Sequence, residues 1–549
     1  MNLSSWPQNY DPLGFWPAST ALAALPVVVL FYLLAFRRVS AAYAALGGAA
    51  TALAVAIIIV GMPVPLAAMS FAYGVGFGLL KIAWIVLSAV YLYDLSVETG
   101  AFAVMKESVA SLSADRRLQA LIIAFSFGAF IEGAAGFGAP VAISAAFMVG
   151  LGFEPFFAAA LCLIANTAPV AWGALGTPVH TLAAVTGLPE PDLNAMIGRI
   201  LPFTSVVVPF WLVRTMVGWR ETLAVLPAIL VTGGSFAMAQ FYWSNYQDSN
   251  LVDIVGALVS LAATVILLRL WRPREVWRFP GEAPPESGAR ESAGRVFKAW
   301  MPFLILSVFV FVWGLPSVKR ALNQVTPVFP VPGLHLGVAR SAPVVRELTP
   351  EAALFDLNWL SATGTGCFLA ALASGFALGL SPRALARTFF KTVLRMRMPV
   401  LAISAMLGLG FVTRHSGIDA ILGLAFTRTG FLFPFFGTFL GWLGVALTGS
   451  DTSSNALFGS LQRITAEQLG LDPILMAAAN SSGGVMGKMV DAQSIVVATA
   501  ATHQVGNEGK IFRFVLWHSI ALGALVGLLV MAYAYLFRGA VPHGLTFPQ

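Results

Sequence analysis

Charge is what this sequence lacks most: Asp, Glu, Lys and Arg make up 10% of its 549 residues, where a soluble domain has about 25%. So few charges cannot cover a water-facing surface, which excludes an ordinary soluble enzyme. Cysteine is nearly absent. Cys162 and Cys367 both lie in apolar runs without metal-ligand spacing or a suitable disulfide partner, which argues against redox chemistry and zinc. The six histidines, His180, His335, His415, His503, His518 and His543, include no pair at the i,i+4 spacing of a helical metal site. No Walker loop follows a strand, no GxGxxG opens a βαβ unit and no GxSxG elbow occurs, which weighs against ATP-driven transport within the chain and against intramembrane hydrolysis. No cofactor and no metal are expected.

Apolar residues take up the remaining space, at 58% of the chain and a mean hydropathy of +0.82. A membrane helix needs about 20 mostly apolar residues. Runs of that kind fall near 18–36, 41–61, 66–94, 156–187, 199–217, 221–242, 251–270, 299–315, 358–380, 397–413, 473–503 and 513–537. Because these runs are continuous and not alternating, they exclude a transmembrane β-barrel, and a disordered chain is excluded with it. The first run follows a segment without Lys or Arg and precedes Arg37 and Arg38, so it reads as a retained span and not as a cleaved signal.

The net charge of +7 and pI near 9.5 would suggest nucleic acid in a soluble protein; here topology explains them better, and no nucleic-acid partner is expected. The basic residues cluster at Arg37 and Arg38, at Lys106, Arg116 and Arg117, at Arg269, Arg272, Arg274, Arg278, Arg290, Arg295 and Lys298, and at Arg383, Arg387, Lys391, Arg395 and Arg397. All four clusters fall on the cytoplasmic side if both termini are periplasmic. Gly61 to Leu66 and Tyr242 to Leu251, on the opposite side, carry no Lys or Arg.

Two stretches, Leu118 to Phe153 and Phe431 to Leu471, are too short for two full spans and a turn. Each has a small-residue or polar break in its middle: EGAAGFGAP at Glu132 to Pro140, and GSDTSSN at Gly449 to Asn455. They read as re-entrant hairpins, the first entering from the cytoplasmic side and the second from outside. Each is followed by a span with its own break, NTAPVAWGALGTP at Asn166 to Pro178 and NSSGGVMGK at Asn480 to Lys488. Broken helices at matching points of two oppositely oriented halves point to a transporter site near the bilayer midplane. The fold class expected is an all-α polytopic membrane protein with about 12 transmembrane helices plus two re-entrant hairpins in two inverted-topology repeats. The chain is taken as one integral membrane domain, 1–549. Repeat one covers about 66–242 with hairpin 118–153, a cytoplasmic linker covers about 271–298, and repeat two covers about 397–537 with hairpin 431–471.

Backbone that leaves helical geometry inside a membrane persists only where protein or a cavity satisfies its polar groups. Helix starts at such breaks attract anions. The candidate substrate-binding residues are therefore Gly136, Gly138, Asn166, Thr167, Ser450, Thr452, Ser453, Ser454, Asn455, Asn480, Ser481 and Ser482. The plain alternative is that Ser and Thr bond their own helices and Gly-rich runs serve helix packing. Ionisable residues in spans are costly and so are functional candidates. Glu132 and Asp451, at the hairpin tips, are the candidate proton carriers; the alternative for each is a helix cap. Lys488 and Asp491, one turn apart, are candidate charge partners, either pairing with each other or leaving Lys488 to face a substrate carboxylate. Lys81, within the third run, either snorkels or pairs with a carboxylate.

The blocks FGAFIEGAAGFGAPVAI at Phe127 to Ile143, CLIANTAPVAWGALGTP at Cys162 to Pro178, GWLGVALTGSDTSSNALF at Gly441 to Phe458 and AANSSGGVMGKM at Ala478 to Met489 resemble the bacterial L-lactate permease family. The similarity runs nearly end to end, from NYDP at Asn9 to Pro12 onward. The resemblance implies an inner-membrane symporter that moves L-lactate, usually also D-lactate and glycolate, with a proton, on a fold of inverted repeats and paired re-entrant hairpins. NSS at Asn480 to Ser482 departs from the NTT common in the family. It keeps the hydroxyls and loses a methyl group, which bears on selectivity among 2-hydroxy acids. Lys81 departs as well and takes no role from the resemblance.

The expected function is proton-coupled symport, with a small monocarboxylate and a proton as partners and the lipid bilayer as surroundings. The main rival is a sodium-coupled carrier of another small carboxylate, because Ser, Thr, Asn and backbone carbonyls also suit a hard cation. A passive anion channel and a membrane enzyme are further rivals. The Pro-, Gly- and Ser-rich stretch Arg272 to Lys298 reads as a solvated linker.

Overall fold

The computed structural model describes residues 5–33, 37, 39–136, 139–279, 292–345, 347–504 and 507–547. Most of it is helix, as expected of apolar segments that must satisfy their backbone groups internally. Among the described residues, nine helices are long and apolar enough to cross a membrane. They become ten if the bent pair Pro155–Ala165 and Val170–Thr186 counts as one span. The all-α polytopic class is as read from the sequence. The number twelve is not reproduced by length and composition: the runs at 18–36 and 358–380 form the short helices Trp16–Ala23, Leu25–Phe31 and Thr363–Ala377. The run at 221–242 is the helix Leu226–Tyr246. Large apolar side chains such as Ile58, Met238, Ile266 and Val308 are exposed on the outside of the bundle, where a soluble protein would carry charge.

The run expected at 397–413 is the second half of a 35-residue helix, Pro382–Ser416. Its basic first half is helical because its arginines find carboxylates: Arg387 lies 2.6 Å from Glu98 and Arg395 2.6 Å from Asp94. The start of the linker is not simply solvated. The main-chain N–H of Trp277 donates to Asp115 (3.0 Å) and Arg117 donates to the carbonyl of Glu275 (2.9 Å), and the next helix begins at Ala293, within the stretch read as linker. Residues 280–291 of that linker lie outside the described residues.

The opposite face carries a structured cap. Trp6–Pro7 pairs parallel with Val338–Arg340, which pairs antiparallel with Thr349–Pro350; Val328–Pro330 pairs antiparallel with Leu354–Asp356. Gln8 donates to the carbonyls of Arg414 and His415, both at 2.9 Å, tying the N-terminal segment to the end of the long helix. Near the other end of the chain, the N–H groups of Gly544 and Leu545 donate to Asp192 (3.0 and 2.8 Å), and His543 pairs with Asp472 at 2.8 Å. The described ends therefore share one face of the bundle.

Candidate functional site

The first hairpin enters through Arg116–Gln119, continues as a π-helical stretch Ala120–Phe127 and ends at Gly128–Ala135; Ala139–Gly150 returns. Asp115 caps the entering limb by accepting from the Arg117 N–H at 2.9 Å. Gly136 turns the chain with φ 58°, in the region glycine adopts without steric cost. The next element is a broken helix: Pro155–Ala165, a single tight turn Val170–Trp172, then Gly173–Thr186, bent by 64°. Ala174, Leu175 and Gly176 all have positive φ, at 46°, 59° and 73°. For the two non-glycine residues that conformation costs roughly 1–2 kcal/mol each. It is held by Trp172, fully buried, whose Nε1 donates to Asn194 at 2.7 Å.

In the second half, Phe433–Thr448 and Asp451–Leu469 form the hairpin around Gly449 and Ser450. Ser450, not Asp451, is the cap: its hydroxyl accepts from the Ser453 N–H at 3.3 Å. Glu132 is no cap either, since it lies within the entering limb Gly128–Ala135. The second broken helix runs Pro473–Gly487, turns at Lys488–Val490 and resumes as Ala492–Ala501. This corrects the break expected at Asn480 to Lys488. Asn480, Ser481 and Ser482 are helical, and the glycines after them serve packing, because a methyl on Gly483 or Gly487 would strike the carbonyls of Thr438 or Trp442 on the hairpin.

The two hairpin tips and the first break meet at a cavity of about 30 Å³ lined by Glu132, Gly136, Gly173, Thr177, Asp451 and Lys488, among others. That is room for about two water molecules. The two halves present the same device. A methyl on Gly173 would collide with Glu132 Oε1, and one on Gly484 would collide with Asp451 Oδ1, so each hairpin carboxylate lies against a bare backbone of the broken helix that follows it. Lys488 Nζ donates to the Gly449 carbonyl at 2.6 Å and pairs with Asp491 at 3.3 Å. Of the two readings of Lys488, pairing with Asp491 is present, and the ammonium also lines the cavity.

The expected residues take different places. Gly136, Ser450 and Thr452 line the cavity. Asn455, Asn480 and Ser481 stand behind it: Asn480 donates to Asn455 at 2.9 Å, and Ser481 donates to Asp451 Oδ2 at 2.5 Å. Thr167 and Ser454 instead bond main-chain carbonyls, of Ile164 at 2.8 Å and of Gly441 at 3.0 Å, the packing alternative. Ser453 contributes its N–H to the Ser450 cap. Gly138 lies outside the described residues. Several buried polar atoms have no protein partner among the described residues: Glu132 Oε2, Asp451 Oδ1, Asn166 Oδ1 and Nδ2, and Ser482 Oγ. Natural proteins rarely leave such atoms unpaired. Lys81 is elsewhere, paired with Asp356 at 2.6 Å.

Two features escaped the sequence reading. Thr177 and Pro178 line the cavity from within a motif already noted, but nothing separated them from their neighbours before the positive-φ turn was visible. Asp253 is fully buried, both its oxygens lack a partner among the described residues, and its Cβ packs against Gly133 of the first hairpin. An acidic residue inside an apolar helix was the available signal, masked by its position at the very edge of the run at 251–270.

Discontinuous helices meeting at a buried polar cavity in a polytopic bundle define a membrane transporter. The chain belongs to the L-lactate permease family, whose model matches residues 19–537, which makes it a permease and not an enzyme. It is 45% identical to the glycolate permease GlcA of Escherichia coli strain K12, over 97% of this chain and 99% of that one. It is also 45% identical to the L-lactate permease of Salmonella typhimurium, over 99% of this chain and 100% of that one. Among solved structures, MtrF of Neisseria gonorrhoeae, assigned to a class of antimetabolite efflux pumps, covers 90% of this chain and 88% of its own at 12% identity and a TM-score of 0.45.

Proposed function

We propose that the protein carries L-lactate, and with it D-lactate and glycolate, in symport with a proton across the bacterial inner membrane, with both ends of the chain periplasmic. L-lactate and glycolate follow the names of the relatives, and D-lactate follows the family resemblance of the sequence. The observation that supports the coupling is the composition of the cavity wall: one ammonium, Lys488, already paired with Asp491, and two further carboxyl groups, Glu132 and Asp451. A monocarboxylate entering beside ionised carboxylates meets repulsion of about 4 kcal/mol per charge at 4 Å in an effective dielectric of ~20. A proton on Glu132 or Asp451 removes that repulsion, so substrate and proton bind together.

In this reading the substrate carboxylate faces Lys488 and the N-terminal turn of Asp451–Leu469 at Thr452, and the hydroxyls of Thr177 and Thr452 on the cavity wall serve its oxygens. The two hairpin-bearing units, taken as inverted repeats over about 66–242 and 397–537, shift as rigid bodies against the rest. With one proton per anion no net charge moves, and each pH unit supplies about 1.36 kcal/mol.

The test is uptake of labelled L-lactate into proteoliposomes under an inward proton gradient without sodium, with unlabelled D-lactate, glycolate, pyruvate or succinate as competitors. Accumulation abolished by a protonophore supports symport. Uptake that requires sodium and ignores the pH gradient would replace it with the sodium-coupled alternative.

A further inference from the structure

A second cavity, of about 280 Å³, opens beside the first and is far roomier. Its wall includes Lys81, Lys319, His180, Glu190, Asp248 and Asn358. One helix serves both cavities. Gly173–Thr186 gives Thr177 and Pro178 to the small one and His180, Ala183 and Ala184 to the large one. His180 follows Thr177 by three residues, so less than one helical turn, about 5 Å of rise, separates them along the axis. The large cavity lies on the face that carries the strand cap, since Asp356 of that cap reaches Lys81.

Lys81 is the unusual member. It sits in the middle of the long helical segment Val64–Glu98, in a π-helical turn, Gly78–Ala83. Such turns widen a helix and recur at functional sites, and an ammonium at that depth is costly without a purpose. Its side chain is 14% exposed, whereas that of its partner Asp356, 2.6 Å away on the cap, is 51% exposed. The acidic groups of the wall are already engaged. Glu190 pairs with His180 at 3.1 Å, and Asp248 accepts from the N–H groups of Asn250 (2.6 Å) and Leu251 (3.1 Å). A buried cation held by one solvent-accessible carboxylate is a site where another carboxylate can take that place.

We propose that this cavity is an outer vestibule that receives a small monocarboxylate on Lys81, with Asp356 as the tethered carboxylate that the incoming anion displaces. The proposal takes its ligand class from the carrier reading and adds a second binding place, reached before the small cavity. Lys319, exposed at the rim, adds long-range attraction.

The test uses Asn358→Cys, a partly exposed position on the vestibule wall. The native Cys162 and Cys367 are buried and give little background. Proteoliposomes are labelled from the cap face with a membrane-impermeant maleimide, with and without L-lactate or glycolate, and uptake is measured in parallel. Either anion is expected to slow labelling at least threefold. Adding Lys81→Gln is expected to abolish the protection and to raise the KM for uptake from the cap face severalfold, with little change in KM from the other face. Asp356→Asn is expected to give protection at lower anion concentration. Absence of protection in the Asn358→Cys parent, or protection unchanged by Lys81→Gln, overturns the vestibule even if uptake is intact. Protection without any uptake overturns the carrier reading and leaves the vestibule standing. If Lys81→Gln does not fold, Asp356→Asn decides: an unchanged concentration dependence makes the ion pair a strut and ends the proposal.

Discussion

The side-chain amide of Asn455 donates to the main-chain carbonyl of Pro178 across 3.1 Å, joining the second hairpin to the first broken helix. Thr452 and Thr177 face each other beside it, 3.4 Å apart. If the two hairpin-bearing units, in shifting against the rest, also move relative to each other, this bond must break and be remade. Asn455→Ala removes about 1 kcal/mol of a hydrogen bond and leaves a buried carbonyl unmet. Initial uptake is expected to fall about tenfold while the protein still inserts. An unchanged rate would mean that the two elements move as one.

Glu132 and Asp451 face one cavity, yet the symport reading needs only one of them to carry the proton. Glu132→Gln is expected to keep exchange of internal for external lactate and to lose accumulation driven by a pH gradient. Asp451→Asn, tested in the same way, assigns the role to the other carboxyl if Glu132→Gln still accumulates.

Two glycines of the broken helices give a steric prediction. Gly484→Ala places a methyl against Asp451. It is expected to cut transport at least tenfold with modest loss of thermal stability, because a side chain can yield. Gly176→Ala is expected to fail at folding: φ is 73° there and the methyl would meet the rigid carbonyl of Ser249. Yield after purification and the melting temperature separate the two outcomes.

On the cap, Glu351 joins Arg340, Arg414 (3.3 Å) and His415 (3.8 Å). Burial pushes its carboxyl up, but Arg414 and Arg340 outweigh burial and hold it at about 2, below the ordinary 4.5. A lowered folded value stabilises fully above the unfolded one and is lost as pH falls through the folded one. Glu351→Gln is therefore expected to lower Tm by several degrees, equally from pH 8 to pH 5. The gap from wild type should narrow only below about pH 4.5. A gap that closes already at pH 6 would contradict the assignment.

Asp253 holds a buried carboxyl without a protein partner among the described residues, an arrangement that stability alone would not keep. Asp253→Asn is expected to leave Tm unchanged or raised while lowering proton-driven uptake. A stable variant with full uptake would make Asp253 a bystander.

Much of this was legible in the sequence, for a physical reason. A membrane span is declared by length and hydropathy, and a break by small and polar residues inside it, so the bend after Asn166 and the turns at Gly136 and Gly449 appear where the residues place them. Other features depend on neighbours. The turn after Lys488 was placed too early because glycines that pack a helix and glycines that end one look alike. The strands of the cap were missed because they are two or three residues long, below any periodicity. Lys81 could be read as a lysine with some carboxylate partner, but only the folded cap shows which one, and that it comes from about 275 positions away.

The C-terminal end of the first broken helix is collared by two arginines from much later in the chain. Arg414 donates to the carbonyls of Ala184 (2.9 Å) and Val185 (3.3 Å), and Arg463 donates to that of Thr186. These are the last carbonyls of the helix, where cations are most favourable. In the proposed cycle a helix fixed at this end could swing only at the other, so the collar would act as a fulcrum and the stroke would be greatest at Gly173, beside Glu132. The distance moved there, and not at the cap, would then set how far the cavity wall opens.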